Sequence, residues 1–266
     1  MKNSIVLSVE PEVKPLGLGG DFERNAEFIA SLGFDGVELS VMNMNLVDRE
    51  RIRKIAERYR LAIPAIGASQ YYLYHGLSFS TSDREIRKKA INKVKESIKF
   101  AGELNSNFII GLVQGKYERI YEESFNYMKD CLQECAKFAE GQKVLLLLEP
   151  INRYAPAMIR TIDEGIRMID EVASSSVKLL ADTFHMNIEE RSMTESIKRG
   201  KGYIAHMHFS DSNRLAPGQG HIDYYRIAEA LRKIKYEGFV SAEMLPEPNP
   251  STAAKLAIKL IKSLPY

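Results

Sequence analysis

Leu145-Leu146-Leu147-Leu148-Glu149-Pro150 is the stretch on which the fold turns. Four leucines in a row show none of the apolar–polar alternation of a strand with one wet face. The segment therefore reads as a parallel strand covered on both sides. Outward from it, similar short runs recur at Ser4–Val9, Gly36–Ser40, Ala62–Gly67, Phe108–Leu112, Val144–Glu149, Lys178–Asp182, Ile204–Phe209 and Gly238–Glu243. Segments with helical composition and period separate them: Asp21–Leu32, Asp48–Arg60, Asp83–Leu104, Tyr121–Glu140, Thr161–Val172, Met193–Lys198, Tyr224–Ile234 and Pro250–Ser263. Asp21, Asp83, Thr161 and Ser251 stand where helix caps are expected. Eight strand-then-helix units in series favour closure into an α/β barrel, a single (β/α)8 TIM barrel over residues 1–266, rather than an open doubly wound sheet.

Composition removes several classes of function. The 266 residues carry 37 Lys+Arg and 35 Asp+Glu, a net charge of +2, with the two signs mixed along the chain. No basic face is advertised, so neither nucleic acid nor a membrane is expected as partner. The first apolar run is too short for a signal peptide and Glu10 closes it. No stretch approaches the roughly 20 apolar residues of a membrane span, and a cytoplasmic protein is expected. Cys131 and Cys135 lie one helical turn apart and read as small buried side chains, since their spacing matches no zinc or redox pattern. Gly17-Leu18-Gly19-Gly20 lacks the spacing of a dinucleotide loop. Whether the chain forms a homo-oligomer is left open.

Barrel enzymes carry their chemistry on the loops after the strands. Long segments follow the first, third and seventh strands, at Glu10–Gly20, Ala68–Ser82 and Ser210–Asp223. The second of these holds Tyr71, Tyr72, Tyr74 and His75, which reads as a lid with aromatic walls for a polyol. The last four strands each bring one ligand-type side chain to the same rim: Glu149, Asp182, a histidine of His206-Met207-His208, and Glu243. An unpaired carboxylate at the end of an apolar strand is costly to desolvate, and a divalent cation supplies the missing partner. Three carboxylates and an imidazole form a hard, oxygen-rich set that favours manganese, with cobalt or magnesium as alternatives, over a thiolate-type zinc site. His185 and Arg214 lie just past this rim and can donate hydrogen bonds to a substrate oxygen.

These residues fall in recognisable stretches. They are Gly33-Phe34-Asp35-Gly36-Val37-Glu38, Glu149-Pro150-Ile151-Asn152-Arg153-Tyr154, Ala181-Asp182-Thr183-Phe184-His185-Met186-Asn187-Ile188-Glu189-Glu190, His206-Met207-His208-Phe209-Ser210-Asp211-Ser212-Asn213-Arg214 and Gly238-Phe239-Val240-Ser241-Ala242-Glu243. In order and spacing they resemble the xylose isomerase-like barrel superfamily, and within it the ketose 3-epimerases of the D-tagatose/L-ribulose type. The resemblance implies that Glu149, Asp182, His208 and Glu243 bind one divalent metal. It also implies that Glu149 and Glu243 exchange protons with a sugar, while His185 and Arg214 hold its carbonyl end. Gly67-Ala68-Ser69-Gln70-Tyr71-Tyr72-Leu73 resembles the corresponding loop of 5-keto-L-gluconate epimerases, which makes Gln70 a candidate substrate contact and, among free six-carbon ketoses and keto-sugar acids, favours a keto-hexonate as substrate. One position departs from the pattern: many of these epimerases carry a glutamate six residues after the first metal glutamate, where this chain has Ala155.

The chemistry fits the residues directly. Inverting a carbon beside a carbonyl removes a proton from one face and returns one to the other, and two opposed carboxylates do this through a cis-enediolate. An aldose–ketose isomerase, such as a hydroxypyruvate isomerase, would use the same metal and one base. It usually lacks an Asp-Ser-Asn-Arg stretch like Asp211–Arg214. An apurinic endonuclease on this fold needs more histidines than the five present. A silent sugar-binding protein has no need of a second proton acceptor.

Overall fold

The computed structural model describes residues 1–9, 16–68 and 70–266, and of Gln70 the backbone alone; residues 10–15 and Ser69 lie outside the described ones. Its strands are β1 (Lys2–Ser8), β2 (Leu18–Gly19), β3 (Gly36–Ser40), β4 (Ala65–Gly67), β5 (Asn107–Ile110), β6 (Leu146–Leu148), β7 (Val177–Asp182), β8 (Ile204–Phe209) and β9 (Phe239–Ala242). From β3 onward each strand pairs with the next in chain order, and β1 pairs with both β3 and β9. The contact from Lys2 opposite Phe239 to Ile5 opposite Ala242 is parallel and closes the ring. Strand β2 lies beside the end of β1 outside that ring. The result is a closed eight-stranded parallel barrel surrounded by helices, as the repeated units predict.

The helices are α1 (Phe22–Leu32), α2 (Arg49–Arg58), α3 (Gln70–His75), α4 (Arg84–Glu103), α5 (Tyr121–Gln142), α6 (Ile162–Val172), α7 (Thr183–Glu189), α8 (Met193–Arg199), α9 (Tyr224–Lys233) and α10 (Pro250–Ser263). Asp21, Asp83 and Thr161 cap α1, α4 and α6 through their side chains, and Thr161 completes a capping box with Glu164. At α10 the cap is Asn249 rather than Ser251. The helix spans Pro250–Ser263 as expected, and Pro250 fits its first turn, where the missing N–H costs nothing, so the cap is the residue before it. The third strand is shorter than its apolar run suggests, because Pro64 offers no N–H to the ladder, and Ala62 keeps only an isolated bridge to Gly36. Two short helices, α3 and α7, replace stretches that read as loop. Six or seven residues form a marginal helix without tertiary support, so sequence periodicity does not reveal them.

Side-chain alternation divides the strands into two environments. Ile66, Ile110, Leu146, Leu148, Leu179 and Ala181 belong to the large apolar layer between barrel and helices. Their neighbours Ala65, Ile109, Leu147 and Leu180 form a separate small cluster inside the barrel. On β1, β3, β8 and β9 the same inward positions hold Ser4, Glu38, His206, His208 and Ser241, all buried. Cys131 and Cys135 are buried and free on α5. Burial pushes both thiols up, Cys131 to about 12, so neither is a thiolate near neutral pH. Among the described residues no helix is long and apolar enough to cross a membrane.

Candidate active site

Parallel strands that end at one mouth deliver their last inward residues to one another. Glu149 follows β6, and its amide still donates to the Ile110 carbonyl at 3.1 Å, which fixes it at the rim. The Glu149 carbonyl accepts from Gln114, whose own side-chain oxygen accepts the Ile159 amide, so a buried glutamine pins the turn after β6. Asp182 ends β7 and caps α7 by accepting from the Phe184 amide at 2.7 Å. His208 lies on β8 and Glu243 directly follows β9. One ligand atom from each of Glu149, Asp182, His208 and Glu243 lies within 4.8 Å of all the others.

The imidazole of His208 has a defined orientation. Its Nε2 donates to Glu38 Oε1 at 2.9 Å. Its Nδ1 faces Glu149 and Asp182 oxygens at 3.7 Å and a Glu243 oxygen at 3.3 Å, yet it is buried without a hydrogen-bond partner. A lone buried nitrogen facing three carboxylates asks for a cation between them. Burial alone would lower His208, but the charge of Glu38 and then of Glu243 raises it well above the ordinary imidazole value. Burial likewise opposes ionisation of Asp182, and Arg214 and His185 outweigh it, holding the carboxyl well below its usual range. The donor set is oxygen-rich with one imidazole nitrogen, the composition expected around a hard or borderline divalent ion. These four side chains fit such an ion and constitute a candidate divalent-metal site.

His185 and Arg214 reach the same rim. His185 Nδ1 lies 2.7 Å from the Asn152 side-chain nitrogen. The Asn152 oxygen already accepts from the Tyr154 amide at 3.0 Å, so its NH2 group must be the donor to His185. That leaves the proton of His185 on Nε2, which points to the site 3.9 Å from Glu149 and 4.0 Å from Asp182. Arg214 donates from Nη1 to Asp182 at 2.7 Å and from Nη2 to Glu243, and stacks its guanidinium 4.8 Å from the Phe184 ring centroid. Burial works against its charge, and Asp182 and Glu243 overcome this. The loop carrying Arg214 is built around buried Asp211, whose carboxylate accepts from the amides of Ser212, Gly218 and Ile222. Arg214 itself sits in the left-handed region at φ 63°, and a side chain at Gly220 would stand 2.2 Å from the Asp211 carboxylate.

Above the rim lies a cavity of about 280 Å³. Its wall includes Glu38, Glu149, His185, His208, Arg214 and Glu243 together with the apolar Leu16, Leu73, Leu112 and Ile151. The aromatic lid expected after the third strand does not form as such. Tyr71 turns inward, almost fully buried, and exchanges a hydrogen bond with the Ser97 hydroxyl at 2.8 Å, while Tyr74 faces solvent. Leu73 supplies the wall instead, because a helix places residues two apart on different faces. The Gln70 side chain lies outside the described residues. Ala155 is half-buried and absent from the cavity wall. Sequence reasoning left Glu38, Asn152 and Asp211 without roles. For Glu38 the available signal was an acid inside the apolar run Gly36–Ser40, where an unpaired charge is not tolerated.

Fold and site together define a parallel (β/α)8 barrel with a candidate divalent-metal centre at the C-terminal mouth. Residues 26–264 match the xylose isomerase-like TIM barrel family, and the chain belongs to it. A D-psicose 3-epimerase of Ruminiclostridium cellulolyticum is 30% identical over 233 residues, covering 84% of this chain and 78% of that protein. An L-ribulose 3-epimerase of Mesorhizobium japonicum is 26% identical over 228 residues, covering 84% of this chain and 75% of that protein. In three dimensions the fold superimposes on a solved L-ribulose 3-epimerase with a TM-score of 0.86 at 24% identity, over 99% of this chain and 94% of that one.

Proposed function

We propose that this protein is a metal-dependent 3-epimerase of free, uncharged ketoses. The observation that carries the reading is His208 Nδ1, buried, without a partner and facing three carboxylates, two of which also border the cavity. The sugar epimerases among its relatives supply the reaction class. Glu149, Asp182, His208 and Glu243 would hold the ion, with manganese the best match to the donor set and cobalt or magnesium as substitutes. When bound, the ion supplies Lewis-acid stabilisation of the negative charge that develops as the carbon acid ionises.

The remaining work falls to side chains. One of Glu149 and Glu243 takes the proton from C3, the C–H electron pair forms the C2–C3 double bond, and the carbonyl π pair moves onto its oxygen, giving a cis-enediolate. The other glutamate returns a proton to C3 from the opposite face as the carbonyl re-forms, so no atom is gained or lost. His185, with its proton fixed on Nε2 by Asn152, and Arg214 donate hydrogen bonds to the oxygens on which charge appears.

The cavity wall favours a neutral sugar over a keto-hexonate. Among the described residues Arg214 is the one permanent cation in that wall, and it is engaged by Asp182 and Glu243. Among the described residues a substrate carboxylate therefore finds no free basic side chain in the wall. The test is incubation with D-tagatose, D-fructose, L-ribulose and 5-keto-L-gluconate plus Mn2+ in D2O. Products are separated by chromatography and deuterium is located by NMR. Deuterium at C3 of an epimerised ketose is expected. Conversion to an aldose with deuterium at C2 alone would replace epimerisation with aldose–ketose isomerisation.

A further inference from the structure

Below the rim, at the level of β3 and β8, a second group of titratable side chains is buried inside the barrel. Glu38, His206 and His208 offer atoms within 4.8 Å of one another and are all buried. This group is not a second ion site. Each Glu38 oxygen already accepts one imidazole N–H, from His206 Nε2 at 2.7 Å and from His208 Nε2 at 2.9 Å. The two rings stand nearly perpendicular, 81° apart, with centroids separated by 5.4 Å. Period-two alternation on β8 sends both histidines inward, and one carboxylate arriving from β3 clamps both.

The clamp has a consequence for the rim. An imidazole that gives one nitrogen to a metal ion is neutral and keeps a single N–H, and the bond to Glu38 places that N–H on Nε2 of His208. Nδ1 is then left as a bare lone pair, directed at Glu149, Asp182 and Glu243. His206 secures the other Glu38 oxygen, so the carboxylate cannot swing away to release His208. We infer that Glu38 is the positioning residue of the metal centre, setting the tautomer and aim of His208, with His206 as its anchor. This rests on the metal-centre reading proposed above and extends it to two residues outside the four-residue ligand set, Glu38, which borders the floor of the cavity, and His206, which does not.

Glu38→Gln isolates the effect at constant shape. An amide offers one acceptor oxygen and one NH2 group, so one of the two imidazole N–H groups would face another donor. One ring must then reverse its tautomer or turn. Binding of Mn2+, followed by the EPR signal of the free ion in the absence of sugar, should weaken about 10–100-fold in Glu38→Gln. His206→Gln, which retains Glu38, should show a smaller loss. A Glu38→Gln protein with the wild-type circular dichroism spectrum and a cooperative melt, but an unchanged Mn2+ affinity, would overturn the inference.

Should that variant not fold, the wild-type protein decides. In its Mg2+-loaded form, long-range 1H–15N correlation is expected to place the His208 proton on Nε2, whereas a proton on Nδ1 overturns the assignment. A wild-type protein that takes up neither ion removes the metal centre and the inference together. A Glu38→Gln protein that loses Mn2+ affinity, beside a wild type that epimerises no ketose, upholds the inference and sinks only the proposed reaction.

Discussion

Between β4 and β7 the inside of the barrel is filled by Ala65, Ile109, Leu147 and Leu180, whereas from β8 round to β3 the inward positions hold His206, His208, Ser241, Ser4 and Glu38. Both halves are buried and belong to one ring of strands, yet they obey different rules. The apolar half needs only volume, and any side chain of similar size satisfies it. The polar half needs partners, because a buried charge or N–H left alone is destabilising. Glu38 answers this by binding two histidines, and the rim carboxylates answer it with Arg214 at a candidate cation site. Ser4, Ser210 and Ser241 hydroxyls remain buried without a hydrogen-bond partner, all on the polar side. The apolar half thus holds the barrel together, and the polar half aims the chemistry at its mouth.

The largest effect that distinguishes the halves is removal of divalent ions. Exhaustive chelation should abolish epimerisation while leaving the far-UV circular dichroism spectrum intact, and Mn2+ or Co2+ should restore turnover. Full activity in protein shown by elemental analysis to be metal-free would place the chemistry elsewhere. Next come Glu149→Gln and Glu243→Gln, each expected to lower kcat by at least about 10²–10⁴-fold, since each face of the substrate needs its own proton carrier. Metal content must be measured beside the rate. A fully metallated variant with near-normal kcat would contradict the two-base assignment.

The apolar half should respond in the opposite way. Leu147→Ala removes a fully buried side chain and should cost about 2–5 kcal/mol of stability by denaturant titration, with kcat of the folded protein changed only a few-fold. An equal loss of kcat without a loss of stability would erase the distinction between the halves. The smallest effect belongs to Ala155. An acid placed there stands outside the cavity wall in a wet mouth, where its repulsion of a substrate carboxylate is on the order of 0.5 kcal/mol. Ala155→Glu should therefore lower kcat/KM for 5-keto-L-gluconate relative to D-tagatose by about twofold. An unchanged or raised ratio would show that an acid at this position does not weigh against an acid substrate.

Strand order, barrel closure and the rim set were legible because each depends on local pattern. Leu145–Leu148 marks a doubly covered strand, and an acid at the end of such a strand is conspicuous wherever the chain goes next. The tyrosines after β4 misled because a short helix, stabilised only by its neighbours, decides which of them turns inward. Tyr71 is buried against Ser97 of α4, a contact that local sequence does not encode.

Eight strand–helix units and four ligand-type residues at successive strand ends can be read from local pattern, since strand periodicity and the cost of an unpaired charge act within a few residues. The direction in which those groups face depends on contacts far apart in the chain. His206 and His208 are equivalent on their own strand, and what separates them is that His208 Nδ1 meets three carboxylates while both Nε2 atoms meet Glu38, 168 and 170 residues away along the chain. A tautomer is set by the partner of one nitrogen, and here that partner arrives only when the barrel closes.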